Sequence, residues 1–279
     1  MGIKIITDST ADIPPELLEK YDIRRVPLSV IIGDKSYKDW EELAPKEFYK
    51  IIRETDVIPK TSQVIPQTFM EVYKEEIQKG NSIISIHLTS KASGTYQSAL
   101  IAKETLGEGD ITVIDSKGYS LGIGLMVLEA AKMAKEGKTK DEIVNKIYDM
   151  IDRIKYIFSV DSLDYLRKGG RLSYAQAFVG GMLNIKPILW VKDGELEVID
   201  KVRGSKKVIE KFLDFMASFR NDFQDQTIGI MHGDNIDMAL QIKEAILQRF
   251  KVGDIIVAEI GCVIGTHAGP GTVAVTFQK

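Results

Sequence analysis

Three short stretches of this 279-residue chain set small hydroxyl side chains beside glycine or glutamine: Thr61-Ser62-Gln63, Ser93-Gly94-Thr95 and Gly265-Thr266-His267-Ala268-Gly269-Pro270-Gly271. Hydroxyls combined with backbone N–H groups suit a carboxylate, which accepts several hydrogen bonds and needs no buried cation. Ser93-Gly94-Thr95 follows the apolar run Ile83-Ile84-Ser85-Ile86-His87-Leu88 and precedes a helical pattern starting near Tyr96. A strand end followed by a helix start gathers free N–H groups and the positive end of the helix dipole. The same position is the ordinary place for an N-capping hydroxyl, and alone the stretch reads more readily as a cap. Thr61-Ser62-Gln63 reads equally as a binding loop or as a loop leading into a helix. His267 is held between glycines and a proline, and serves either as a structural hydrogen-bonder or as a functional group. His87 and His232 fit the structural role better.

Other chemistries are excluded by what is missing. There is no G-x-x-x-x-G-K-[ST] phosphate loop and no strand-linked G-x-G-x-x-G; Gly122-Ile123-Gly124 lies in an apolar helical pattern and reads as close packing. Without a G-x-S-x-G elbow, Ser93 lacks the signature of a hydrolase nucleophile. The three histidines have no metal-ligand spacing, and the single Cys262 excludes an internal disulfide or a cysteine-based cluster. No metal, cofactor or catalytic residue is therefore expected. Asp8 follows the first strand, where phosphotransferases often place an acid, but no second acid adjoins it. Asp8 and Asp12 are expected to cap the helix that begins at Pro14. A hydrolase or phosphotransferase using Ser93 or Asp8 with His267 is the alternative to a binding protein.

The elements that must position these groups follow from periodicity. Strands are expected at Ile3–Thr7, Val26–Ile32, 83–88 and Ile111–Ile114, with helices at 14–21, Pro45–Arg53, Gln67–Lys79, 96–106 and 119–135. The segment from Pro59 to Pro66 shows no clear period. This β/α alternation argues for a parallel sheet covered by helices. After a charged amphipathic helix at Thr139–Ile154 the character changes. Pro187–Lys192 and Leu196–Lys201 flank Asp193-Gly194 as a hairpin, and helix and strand signals then mix. We expect an α/β protein of two domains, residues 1–152 with a parallel sheet and residues 153–279 with a mixed sheet.

A hydrophobic fraction of 44% gives an ordinary core, and a formal charge of −3 offers no broad attraction to nucleic acid or anionic membrane. No apolar run approaches the roughly eighteen residues that a membrane span needs. The Met-Gly-Ile-Lys start shows no signal-peptide pattern. A cytoplasmic protein is expected. Two basic clusters, Arg167 to Arg171 and Lys201 to Lys207, are either solvated faces or docking sites for an acidic partner or phosphorylated ligand.

Taken together, the segments resemble the DegV family of bacterial fatty-acid-binding proteins. The resemblance runs from Ile6-Thr7-Asp8-Ser9-Thr10-Ala11-Asp12-Ile13-Pro14 through Thr61-Ser62-Gln63 with Pro66, Ser93-Gly94-Thr95-Tyr96 and Asp115-Ser116. It continues through Leu163-Asp164-Tyr165-Leu166-Arg167-Lys168-Gly169-Gly170-Arg171 and closes on His267-Ala268-Gly269-Pro270-Gly271. It implies a fatty acid bound between two α/β domains, with Thr61 and Ser93 on the carboxylate, Ser62, Gly94 and His267 beside them, and an acyl tunnel largely in the second domain. Some members present the carboxylate to a separate ATP-using kinase protein, and the arginines matching Arg171 and Arg203 serve that partnership. About fifteen buried methylenes supply roughly 12 kcal/mol before association costs, so neutral hydroxyls suffice to orient the head group.

Overall fold

The computed structural model of the chain describes residues 2–55, 57–171 and 185–279. Strands β1 (Ile3–Asp8), β2 (Arg24–Val26), β6 (Ser82–His87) and β7 (Ile111–Asp115) form a parallel sheet in the order β2-β1-β6-β7. Successive strand residues point to opposite faces. Ile5 and Ile84 accordingly pack against α5 (Leu121–Lys135) and α6 (Lys140–Arg153). Ile6 and Ile83 pack on the other side, against α3 (Pro66–Gln78) and α4 (Thr95–Leu106). Burial on both faces is why these strands read as unbroken apolar runs.

The single strand expected at Val26–Ile32 is instead two strands in two sheets. Pro27 has no N–H to give a ladder, and the chain leaves β2 there and begins β3 (Ser29–Ile32). β3 lies between β4 (Lys35–Lys38) and β5 (Lys60–Ser62) in a small antiparallel sheet. β5 comes from the segment that showed no period. Three residues are too few to display one, and its pairing sets Thr61 opposite Val30.

The second half forms a six-stranded mixed sheet, so the protein is a two-domain α/β fold. Its strands are β8 (Ile154–Ser159), β9 (Ile185–Lys192), β10 (Glu195–Arg203), β11 (Asp222–His232), β12 (Lys251–Glu259) and β13 (Val273–Gln278). They run in the order β10-β9-β8-β13-β11-β12, with β11 and β12 parallel and the other pairs antiparallel. Asp193 and Gly194 both take positive φ, as a two-residue hairpin turn requires. Helices α8 (Ser205–Ala217) and α9 (Ile236–Arg249) cover one face through Phe212 and Ile242 on Ile157, Ile230 and Val275. Neighbouring strand residues Phe158, Met231 and Ala274 point the other way, toward the first domain.

Two local expectations differ from the structure. Asp8 accepts the Thr10 N–H at 3.0 Å and caps a single 3₁₀ turn, Ser9–Ala11. Helix α1 (Pro15–Lys20) begins after Pro14 without a side-chain cap, because proline already removes one orphan donor. The glycine-rich stretch around His267 is a helix, α10 (Cys262–Ala268), that packs on α2 (Pro45–Glu54), β3 and β5. Cys262 and Val263 belong to the core under α2 and α3. Helix α10 thus lies across the proposed division at residues 152/153, which falls at the α6–β8 junction. The sequence Gly169-Gly170-Arg171-Leu172-Ser173 reads as a break in the pattern after the short helix α7 (Asp164–Lys168), and its last two residues lie outside the described residues.

Candidate functional site

A cavity of about 320 Å³ lies between the two large sheets. Its apolar wall comes mostly from the second half of the sequence, through Tyr156, Phe158, Val191, Leu196, Met231, Ile260 and Ala274. Thr61, Ser62, Gln63, Ser93, Gly94, Tyr119, Ser120, Arg171 and His267 supply polar groups. Ser62 and Arg171 are exposed, so this polar group marks where the cavity meets solvent.

Specific contacts join the three polar stretches. Thr61 Oγ1 lies 2.9 Å from His267 Nε2. A Cβ on Gly94 would sit 2.1 Å from Gln63 Oε1, so glycine leaves room for the Gln63 amide to lie against the α4 start. Gln63 Nε2 donates to Ser98 Oγ at 3.1 Å and ties that segment to α4. Ser93 Oγ accepts the Thr95 N–H at 3.2 Å and lies 3.0 Å from the Thr95 hydroxyl. Ser93 therefore takes up one donor of the helix start without being its N-cap, a position held by Gly94. Arg171 Nε donates to the Ala92 carbonyl at 3.2 Å and Nη1 to Gly169 at 2.7 Å, tying the end of α7 to the Ser93 loop.

The His267 imidazole is the electrostatic centre of this group. Burial, followed by the nearby Arg171 cation, holds its pKa down at about 4, so the ring is neutral near pH 7. Nδ1 is buried without a hydrogen-bond partner. An unpartnered lone pair is cheaper than an unpartnered N–H, which places the proton on Nε2, donating to Thr61 Oγ1. The Thr61 hydroxyl is then free to donate into the cavity. Gly169 takes helical φ −76°, yet a Cβ there would lie 2.1 Å from His267 Nδ1. Gly169→Ala meets no left-handed backbone strain, and its methyl acts mainly on the imidazole, with a tight 3.1 Å approach to the Tyr165 carbonyl as a lesser contact. If the Thr61 hydroxyl recognises a carboxylate, displacing the ring should weaken binding of that ligand about tenfold, the worth of roughly one charged hydrogen bond, which titration calorimetry would read.

Arg203 is not among the cavity-lining residues. It ends β10, about 26 Å of strand from Glu195, where the hairpin meets the first domain. Asp8 is also elsewhere. It accepts from Thr10, from His87 Nδ1 at 3.0 Å and from the Leu88 N–H at 3.1 Å. His87 Nε2 meets Ser85 Oγ at 2.7 Å, and Tyr73 donates to that same oxygen at 2.9 Å. This Ser-His-Asp connectivity resembles a hydrolytic triad, but all its members are fully buried and none lines the cavity. It is a satisfied polar network inside the sheet. Sequence reasoning missed Tyr119 and Ser120 as lining residues and named Gln63 only as part of the Thr61-Ser62-Gln63 stretch, without a role of its own.

No helix among the described residues is long and apolar enough to cross a membrane, and no group of three or more metal-ligating side chains is found among them. Residues 2–279 match the sequence pattern of a family described as "Uncharacterised protein, DegV family". A DegV domain-containing protein of Caldanaerobacter subterraneus subsp. tengcongensis is 47% identical over 277 residues, covering 99% of each chain. A DegV family protein from Thermus thermophilus, solved in a study of its fatty acid binding, superposes with a TM-score of 0.92 at 34% identity over 100% of both chains. A DegV family protein from Ruminococcus gnavus, solved with vaccenic acid, gives a TM-score of 0.89 at 29% identity over 99% of each chain. With its sequence pattern matched to the last residue and its two sheets arranged as in these relatives, the chain belongs to the DegV family.

Proposed function

We propose that this protein binds one long-chain fatty acid in the cavity between its two domains. Thr61 and Ser93 donate hydrogen bonds to the carboxylate, Ser62 and the Gly94 backbone complete the head-group site, and His267 orients Thr61. The observation that carries this reading is the Thr61–His267 contact at the polar part of a cavity walled by apolar side chains. The fatty acid binding of the Thermus thermophilus relative and the vaccenic acid of the Ruminococcus gnavus one support the ligand class. Neutral donors leave the carboxylate oxygens unclamped, which suits a protein that hands its ligand on.

The same reading extends to a separate, cytoplasmic ATP-using kinase protein. A carboxylate oxygen would take the γ-phosphoryl group of ATP, ADP would leave, and an acyl phosphate would form. Arg171 and Arg203, both exposed, would meet that partner. The binding protein itself contributes no catalytic residue in this scheme.

Mass spectrometry of the purified protein, native and after solvent extraction, tests the reading. One equivalent of a long-chain fatty acid per chain is expected. An empty protein that hydrolyses esters or ATP would overturn it in favour of chemistry at Ser93.

A further inference from the structure

Helix α10 comes from the C-terminal half of the sequence, but two carboxylates from the N-terminal half hold its first turn. Asp12 Oδ1 accepts the Gly261 N–H at 2.9 Å, and Asp39 Oδ1 accepts the Cys262 N–H at 2.9 Å. Both aspartates are buried, at 1% and 0% exposure. The Ser120 hydroxyl donates to the second oxygen of Asp12 at 2.5 Å. Asp39 Oδ2 has no hydrogen-bond partner, and neither has Arg25 Nη1. At the other end of the same short helix, His267 meets Thr61.

We propose that Asp12 and Asp39 are positioning residues for the carboxylate site, acting through α10 on His267. This rests on the fatty-acid reading above, in which His267 orients Thr61. A neutral acceptor would satisfy a helix N–H at far lower desolvation cost. Two buried carboxylates also repel each other, and here they do so where α10 is seated against the first domain.

The arrangement ties seating to protons. Burial, opposed by the Ser9 hydroxyl, the Cys262 N–H and the Arg25 cation, raises Asp39 to about 6. Burial raises Asp12 well above the usual carboxylate range, against hydrogen bonds from Ser120, Gly261 and Trp40. The other titratable groups facing the pair are Tyr49 and the Cys262 thiol; Glu41 acts on Arg25, and Glu259 acts on Tyr49. Asp39 is raised above its ordinary 3.8, so its contribution to seating is complete below 3.8 and is lost as pH rises through about 6. His267 runs the other way. It is held at about 4 against an ordinary 6.5, so its contribution is complete above 6.5 and is lost as pH falls through about 4. Between those limits the two linkages oppose, and the seated helix changes little in stability.

D39N keeps an oxygen acceptor for the Cys262 N–H and removes the titrating charge. D39A removes that acceptor, and D39N serves as its conservative rescue. The test measures the dissociation constants of palmitate and of hexadecanol at pH 7 for wild type, D39A and D39N by competition with a fluorescent acyl probe, with a circular dichroism melt of each protein. D39A should weaken palmitate about tenfold, the worth of roughly one hydrogen bond to a charged partner, and leave hexadecanol nearly unchanged. D39N should recover most of the palmitate affinity. D12A with D12N serves as the test if D39A does not fold. Equal loss for acid and alcohol, or no recovery in D39N, would overturn the proposal. If alanine at both Thr61 and Ser93 left fatty-acid affinity unchanged, the site reading would fail independently. If that double variant lost affinity while D39A bound palmitate as wild type does, only the role of the aspartates would fail.

Discussion

Replacing Thr61 and Ser93 together with alanine is expected to weaken binding of a long-chain fatty acid by about a hundredfold and to leave the matching fatty alcohol nearly unaffected. In the proposed site the two hydroxyls are the neutral donors to the head group. Hydrogen bonds to a charged partner are each worth roughly 1.5–3 kcal/mol, so the loss of both gives at least about 3 kcal/mol. The proposed carboxylate position is where the cavity meets solvent, so water would recover part of the rest and keep the effect near the lower figure. The alcohol carries no charge, and its tail contacts are untouched. Competition with a fluorescent acyl probe reads both ligands on the same protein. Equal loss for acid and alcohol would show that the substitutions damaged the cavity rather than the recognition of charge.

The second large effect is expected at the apolar wall. Ala274 lies on β13, near the middle of the six-stranded sheet, and lines the cavity on the face away from α8 and α9. Ala274→Phe places a ring where the acyl chain would run. Displacing three methylenes forfeits about 2.4 kcal/mol, roughly a sixtyfold loss for a long-chain acid. Shorter acids that end before the ring should bind as they do to wild type. A calorimetric series over chain lengths reads the shift, with a melting curve to show that the sheet is intact. Uniform loss at every length would place Ala274 away from the chain.

Much of this architecture was readable from periodicity. The apolar runs at Ile3–Thr7 and 83–88 became buried parallel strands, and Thr139 became the capping box of α6, where local signals and tertiary packing agree. The failures share one cause. Helix α10 reads as a loop because Gly265 and Gly269 weaken helix propensity. The helix is held by bonds from Asp12, Asp39 and Tyr49 that span 249, 223 and 211 residues of sequence. No local window contains those partners. Asp12 reads as a cap for the same reason: its true acceptor role lies at the far end of the chain. Thr61, Ser93 and His267 stood out by residue type, yet whether they meet depends on the β3–β5 pairing and on α10, neither of which has a local signature. Arg171 was drawn from the family resemblance. Its bond to the Ala92 carbonyl is a geometric fact that no motif encodes.

In the proposed complex, the hydroxyls that would face the carboxylate and most of the wall that would face the tail come from different halves of the sequence. Thr61 and Ser93 belong to the first half, whereas Phe158, Met231 and Ala274 belong to the second. On that reading, variation in one half could retune which acyl length is accepted while the other half kept its grip on the acid group. A family built this way can diversify its cargo by substitution or recombination downstream of residue 152 without relearning how to hold a carboxylate. His267 is the exception: it is encoded downstream but seated upstream, so any exchanged half must bring a helix that still fits the aspartates waiting for it.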